Sequence, residues 1–232
     1  MDDVLIAGCG KLALDLIDGL KAAPFTIDAE KVRAVIYAGS GRELEAVTTY
    51  CHEKGSTLIQ ASTGIDHPKS PSFPYIIAPN LSLAVLKFVD AIKDFTDHFK
   101  GAHITLTESH QKTKQSSPGT AERIKAALNL DSYNSVRSEE SQKDYFQVPP
   151  EHLDRHAIHE VNIELGSAEV RAQVRIMGKE PYIEGARVLL EKDLCLLKPG
   201  LYLLEDLMSD ANSPLLKSDS IMSQPPMNPP QM

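Results

Sequence analysis

A chain of 232 residues, 42% hydrophobic and 24% charged, has room for one large domain or two small ones and the balance of a globular protein. Its 24 basic and 32 acidic residues give a net charge of −8, which argues against a nucleic-acid binder, since that would present a basic surface. No apolar run reaches the roughly 20 residues that cross a bilayer, so no membrane partner is expected. Met1-Asp2-Asp3 leads straight into a strand pattern without the layout of a signal peptide, which predicts a cytoplasmic protein. Cys9, Cys51 and Cys195 are widely spaced and form no metal motif, so reduced thiols are expected.

Val4-Leu5-Ile6-Ala7 reads as a buried parallel strand. It runs into Gly8-Cys9-Gly10-Lys11-Leu12-Ala13, after which Leu14, Leu16, Ile17 and Leu20 keep helical spacing. Strand, glycine turn and helix together form a unit in which a dinucleotide pyrophosphate can approach the backbone and the helix N-terminus. Taken alone the motif is weak, and a ligand-free strand-to-helix turn is its plain alternative.

Val32-Arg33-Ala34-Val35-Ile36-Tyr37 predicts a second strand, followed by Gly39-Ser40-Gly41-Arg42 and a helix from about Glu43 to Lys54. Counted simply, this strand would hold the adenosine ribose of a dinucleotide, with Ser40 and Arg42 near a 2′-phosphate. Thr57-Leu58-Ile59-Gln60 is a further short strand. Ala61-Ser62-Thr63-Gly64 follows at its carboxyl end, where ligands sit in open α/β sheets. After a Pro-rich loop, Tyr75-Ile76-Ile77 leads to Ala78-Pro79-Asn80, with Asn80 predicted as a helix N-cap. Val85, Phe88, Val89, Ile92, Phe95 and Phe99 then repeat at three and four, which predicts one long amphipathic helix.

The stretch with chemistry in it runs from Glu108 to Ala121. Ile104 and Leu106 before it alternate as in a half-buried strand, and Thr120 to Leu128 after it reads as a helix. His110 has the ordinary pKa of a proton donor near neutrality. Lys114 stands four residues on, and Gly119-Thr120 opens a helix whose first N–H groups can grip a carboxylate or phosphate.

This segment resembles the signature of the dihydrodipicolinate reductases, nicotinamide-dependent enzymes of lysine biosynthesis. His110, Lys114 and Gly119-Thr120-Ala121 carry the likeness, and Glu108-Ser109-His110-Gln111 looks like the plant-type variant. Gln111 stands where the bacterial pattern has a second histidine, and Pro118 where a serine is usual. The resemblance implies His110 and Lys114 as catalytic residues, and Gln111, Ser117, Gly119 and Thr120 as substrate-binding. It implies Gly8, Gly10, Lys11, Leu12, Ala61, Ser62, Thr63, Ala78 and Asn80 around NADPH or NADH. It also makes Val32–Tyr37 a later strand of the cofactor domain, with the usual second strand, second helix and third strand missing between Leu20 and Val32.

Downstream, Asp131 to Gln147 reads as polar and irregular. His152, His156 and His159 have a spacing that invites a metal, but alternation takes over at Val161, so no metal site is expected. Two alternating strands around Gly166-Ser167 predict a β-hairpin. Lys179 stands where the family often has arginine, Tyr182–Leu190 predicts a helix, and the Ser/Pro/Met-rich stretch 209–232 reads as a loose tail.

The expectation is therefore an α/β protein: a shortened Rossmann-like parallel-sheet domain plus an α+β domain with an open mixed β-sheet. Residues 1–80 with 179–208 would bind the dinucleotide. Residues 81–178 would bind a dicarboxylate substrate and build a homotetramer. The implied reaction is hydride transfer from NAD(P)H to a cyclic imine dicarboxylate, giving tetrahydrodipicolinate. Two alternatives stand beside it: a non-catalytic relative that binds a metabolite or partner, and a reductase of another imine.

Overall fold

The computed structural model describes residues 3–114 and 118–208. The 209–232 tail and Ser117 lie outside them. Short apolar runs form the centre of the first sheet. Strands β1 (Val4–Ala7), β3 (Ala34–Tyr37) and β4 (Thr57–Gln60) are buried at every position, as parallel strands covered on both faces must be. With β2 (Ala23–Pro24), β5 (Pro74–Ile77) and β10 (Gly200–Leu203) they form a six-stranded parallel sheet, ordered β10-β5-β4-β3-β1-β2.

Alternate residues feed two cores. Ile6, Ile36, Ile59 and Ile76 pack under helices α1 (Lys11–Leu20) and α7 (Glu180–Leu190). Leu5, Val35, Leu58 and Tyr75 pack under α2 (Leu44–Lys54). The stretch between Leu20 and Val32, where no strand is expected from the sequence, holds a short one. β2 is two residues long, exposed, and paired to the far side of β1. The order of strands turns around at β1, the place where a Rossmann-like sheet leaves a crevice.

The second sheet is mixed, ordered β7-β6-β8-β9: β7 (Asn134–Val136), β6 (His103–His110), β8 (His156–Leu165) and β9 (Ala168–Met177). β7 runs parallel to β6, and the other pairs are antiparallel. The hairpin closes at Gly166-Ser167, with Leu165 opposite Ala168. One face is covered by α3 (Leu83–Ile92) and α5 (Gly119–Ala127), around Val89, Leu106, Ile124 and Val161.

Several elements depart from the sequence reading. The long helix is broken after Ile92, and Phe95–His98 forms a separate turn, α4. The N-cap position is Ser82 rather than Asn80; the Asn80 Oδ1 accepts from the Ser82 N–H at 2.8 Å, a local turn just ahead of the helix. The stretch read as irregular holds β7 and helix α6 (Glu139–Asp144). His156 and His159, three apart on β8, point to opposite faces of the sheet. Among the described residues no group of three or more His, Cys, Asp or Glu could hold a metal, and no helix is long and apolar enough to cross a membrane.

Three ion pairs tie α1 to the second sheet's connections: Asp15 with Arg155, Lys11 with Asp154, and Asp18 with Lys179 at 2.7 Å. They flank the cleft in which the motif residues meet.

Candidate active-site cleft

Strand geometry places the proton donor. Glu108 and His110 are two apart on β6, so both side chains leave the same face. Register puts Ser135 of β7 beside Glu108 on one side and His159 of β8 opposite it on the other. Glu108 is wholly buried, and its carboxylate is saturated. One oxygen pairs with the His110 Nδ1 at 2.5 Å. The other accepts from the Arg137 guanidinium at 2.7 Å and from the Ser135 hydroxyl. Burial alone would raise the Glu108 pKa, but these partners outweigh it and hold the carboxyl below the usual range.

His110 feels the opposite balance. Burial depresses its pKa, the hydrogen bond to Glu108 pulls it back up, and the charges of Lys114 and Arg137 push it down. Because Nδ1 faces the carboxylate, that nitrogen carries the proton of the neutral ring and Nε2 is the edge left for chemistry. Gln142 of α6 steadies the strand end by donating to the His110 carbonyl at 2.8 Å. Burial also lowers the pKa of Lys114.

The cleft beside these groups is a cavity of about 290 Å³ between the two sheets. Lys11 and Leu12 reach it from α1, Ala61 and Thr63 from the end of β4, and Asn80 from the end of β5. His110, Gln111, Lys114, Gly119 and Thr120 line it from the motif, and Arg155, His156, His159 and Tyr182 complete the wall. Among the described lining residues, three are Lys or Arg and none is Asp or Glu. In a chain with a net charge of −8, that is a local reversal of sign. Thr120 Oγ1 accepts from Asn80 Nδ2 at 3.1 Å, linking the helix start to the first sheet.

Two helices begin uncapped at this cleft. Gly10 precedes α1, whose first turn has no side-chain cap and no acidic residue. A Cβ at Gly10 would meet only the Ala38 carbonyl, at 4.0 Å, so the approach to those N–H groups is open. Gly8 serves the sheet instead: φ is +124°, and a Cβ there would stand 2.5 Å from the same carbonyl. This helix start fits a pyrophosphate, and the ends of β4 and β5 open onto the same cleft. The two-residue β2 offers little platform for the adenosine end. The second such helix is α5, which starts behind Pro118 with no side-chain cap among the described residues.

Some expected residues stand off the main cavity. Ser62 lies in an adjoining hollow of about 220 Å³, shared with Thr63, Asn80 and Thr120. Ala78 is buried in the core beneath the loop. Lys179 does not line the cleft and holds Asp18 instead. Sequence reasoning missed Arg137, Ser135 and Arg155. Arg137 and Ser135 sit in a polar stretch with no run of alternation long enough to announce a strand.

The fold and the cleft define a class: a shortened Rossmann-like sheet joined to an α+β domain, with a cation-lined crevice at the junction. No family model matches the chain. A probable 4-hydroxy-tetrahydrodipicolinate reductase 1 of Oryza sativa subsp. japonica is 28% identical over 153 residues, covering 60% of this chain and 42% of that protein. The 4-hydroxy-tetrahydrodipicolinate reductase 1 of Arabidopsis thaliana is 25% identical over 150 residues, covering 56% and 43%. These matches thus span less than half the length of the curated relatives. A dipicolinate-bound dihydrodipicolinate reductase from Paenisporosarcina sp. TG-14 shares the fold, with a TM-score of 0.60 and 12% identity over 90% of this chain and 100% of that one. Over about half its length the chain is thus similar to 4-hydroxy-tetrahydrodipicolinate reductases, and it shares the fold of one of them.

Proposed function

We propose that this chain reduces a cyclic imine dicarboxylate with NADH or NADPH, as a 4-hydroxy-tetrahydrodipicolinate reductase. The observation that carries the reading is the cation-lined cleft: a buried imidazole backed by a carboxylate, beside an ammonium and an uncapped helix start.

Residues 1–80 with 179–208 form the cofactor part in this reading, and 81–178 the substrate part. Gly10, Lys11 and Leu12 frame the pyrophosphate, with Gly8 setting the turn beneath them, and Ala61, Ser62, Thr63 and Asn80 lie towards the nicotinamide, with Ala78 packed below. The nicotinamide, when bound, supplies a hydride. Lys114 and the amides of Gly119 and Thr120 hold one substrate carboxylate, with Gln111 beside it. Hydride addition leaves enamine character next to the ring nitrogen, and His110 delivers the proton from Nε2. Glu108 keeps the His110 Nδ1–H in place before and after that transfer and stabilises the imidazolium that precedes it. Arg137 keeps Glu108 ionised.

The test is nicotinamide absorbance followed with freshly generated substrate. Turnover with at least one cofactor is expected; oxidation of neither overturns the reading. The two-residue β2 favours a second reading, a relative that binds metabolites without catalysis. Calorimetry with both nicotinamide cofactors decides between them, since binding of neither supports the second.

Assembly as a homotetramer through the mixed sheet belongs to the same proposal. The hairpin tip, where Leu165 and Val170 are exposed, supports it. Light scattering on the purified chain would show a monomer if it is wrong. We place the protein in the cytoplasm; its free Cys9, Cys51 and Cys195 suit a reducing compartment, and cell fractionation checks this.

A further inference from the structure

Three histidines meet at the end of the mixed sheet, and they are not equivalent. His110 holds Glu108 through Nδ1. His156, on the opposite face, is satisfied at both nitrogens: Nδ1 pairs with the His152 carbonyl and Nε2 with the Ser109 hydroxyl, each at 3.0 Å. His159 has neither. Its side chain is 1% exposed, yet Nδ1 and Nε2 make no hydrogen bond to any described residue.

Buried polar side chains are nearly always paired, and an orphan at a cavity wall points to a partner that arrives from the cavity. The His159 ring forms part of the wall of the cation-lined cleft and packs edge-on against His110, with centroids 5.5 Å apart. Backbone pairing does not explain its place either. Register sets it between Glu108 and Val174, and Glu108 is already saturated by His110, Arg137 and Ser135. A hydrophobic residue would fill this position at no polar cost, as Val161 and Ala157 do on the same face.

Charge identifies what the ring can do. Burial and the nearby His110 and Lys114 drive its pKa down to about 3, so the imidazole is neutral at working pH. A neutral ring offers one N–H donor and one acceptor. The cleft it faces collects cations and has no carboxylate among the described lining residues, so the complementary ligand is anionic. Lys114 and the α5 start account for one carboxylate of a ring dianion.

We infer that His159 is a substrate-binding residue, donating a hydrogen bond from its neutral ring to the second carboxylate of a ring dicarboxylate in the cleft. The inference rests on the dicarboxylate reading given above and names the residue that makes the site select two carboxylates over one.

Calorimetric titration of the full chain with pyridine-2,6-dicarboxylate, with saturating NADPH present, tests it. His159→Leu should weaken binding at least tenfold, about 1.4 kcal/mol, while the melting temperature holds or rises because an unpaired polar group has gone. Affinity within twofold of the original chain overturns the inference. If the leucine variant does not fold, nuclear magnetic resonance of ¹⁵N-histidine-labelled original chain replaces it. One His159 ring nitrogen should shift on adding the dicarboxylate, and an unmoved signal overturns the inference. If the unaltered chain binds no dicarboxylate, the functional reading falls and this inference falls with it; binding that survives loss of His159 removes the inference alone.

Discussion

The two sheets bury different chemistry. In β1 and β3 every residue is apolar and buried, and β4 adds only Thr57 and Gln60. Among the described residues, the buried carboxylates and imidazoles all lie on β6 and β8: Glu108, His110, His156, His159 and Glu160. The parallel sheet is held by burial that any similar apolar residue could supply. The mixed sheet depends on particular partners, since an ionised group out of water is tolerable only while its counter-charge and hydrogen bonds persist. Structure and site are thus divided between the sheets.

The sharpest break comes at Glu108. Glu108→Ala leaves Arg137 without its carboxylate and His110 without its orienting acceptor, and should cost about 3–5 kcal/mol of unfolding free energy by urea titration. A loss below about 1 kcal/mol would mean that the buried network is not intact in solution. Next comes His110→Gln, which should lower turnover about a hundredfold or more while cofactor affinity stays put. An unchanged rate would falsify the assignment of His110 as the acid.

Acid titration has a smaller effect. The ordinary histidine pKa is 6.5, and His159 is held at about 3 in the folded chain. Between those values the unfolded state binds a proton that the folded state refuses. Its contribution to stability is therefore present above 6.5 and lost as pH falls towards 3. His110 and His156 are lowered in the same direction. Each group adds up to about 1.4 kcal/mol per pH unit to the slope. His159→Leu should flatten the stability profile by about that much in mild acid, and an unaltered slope would show that His159 titrates normally. The smallest effect belongs to the apolar sheet. Ile36→Val should cost about 0.5–1.5 kcal/mol and leave the KM for substrate unchanged. A rise in KM would show that the two sheets are not separable.

Much of this was legible in the chain. The parallel strands announce themselves as short apolar runs, because both faces are covered. The hairpin shows as alternation around Gly166-Ser167, and the Glu108–Thr120 stretch by the types and spacing of its residues. β7 was hidden, because Asn134-Ser135-Val136 is too short and polar for any periodicity to show. Arg137 was hidden with it. Asn80 has the composition of a cap and a different local geometry: its Oδ1 accepts from the Ser82 N–H in a turn ahead of the helix, and its Nδ2 donates to Thr120.

The amino-acid sequence by itself determined the apolar strands of the parallel sheet, the hairpin and most of the helices, where the glycine turns fall, and which residues can donate a proton or hold an anion; these follow from periodicity, backbone freedom and side-chain chemistry. Only the tertiary structure decided that Ser135, Glu108 and His159 share one row across three strands, that Arg137 neutralises Glu108, and that His159 alone of the three histidines lacks a partner. Those outcomes depend on strand register and on what each side chain finds opposite it, and no local pattern encodes contacts such as Glu108 with Ser135 and Glu108 with His159, 27 and 51 residues apart.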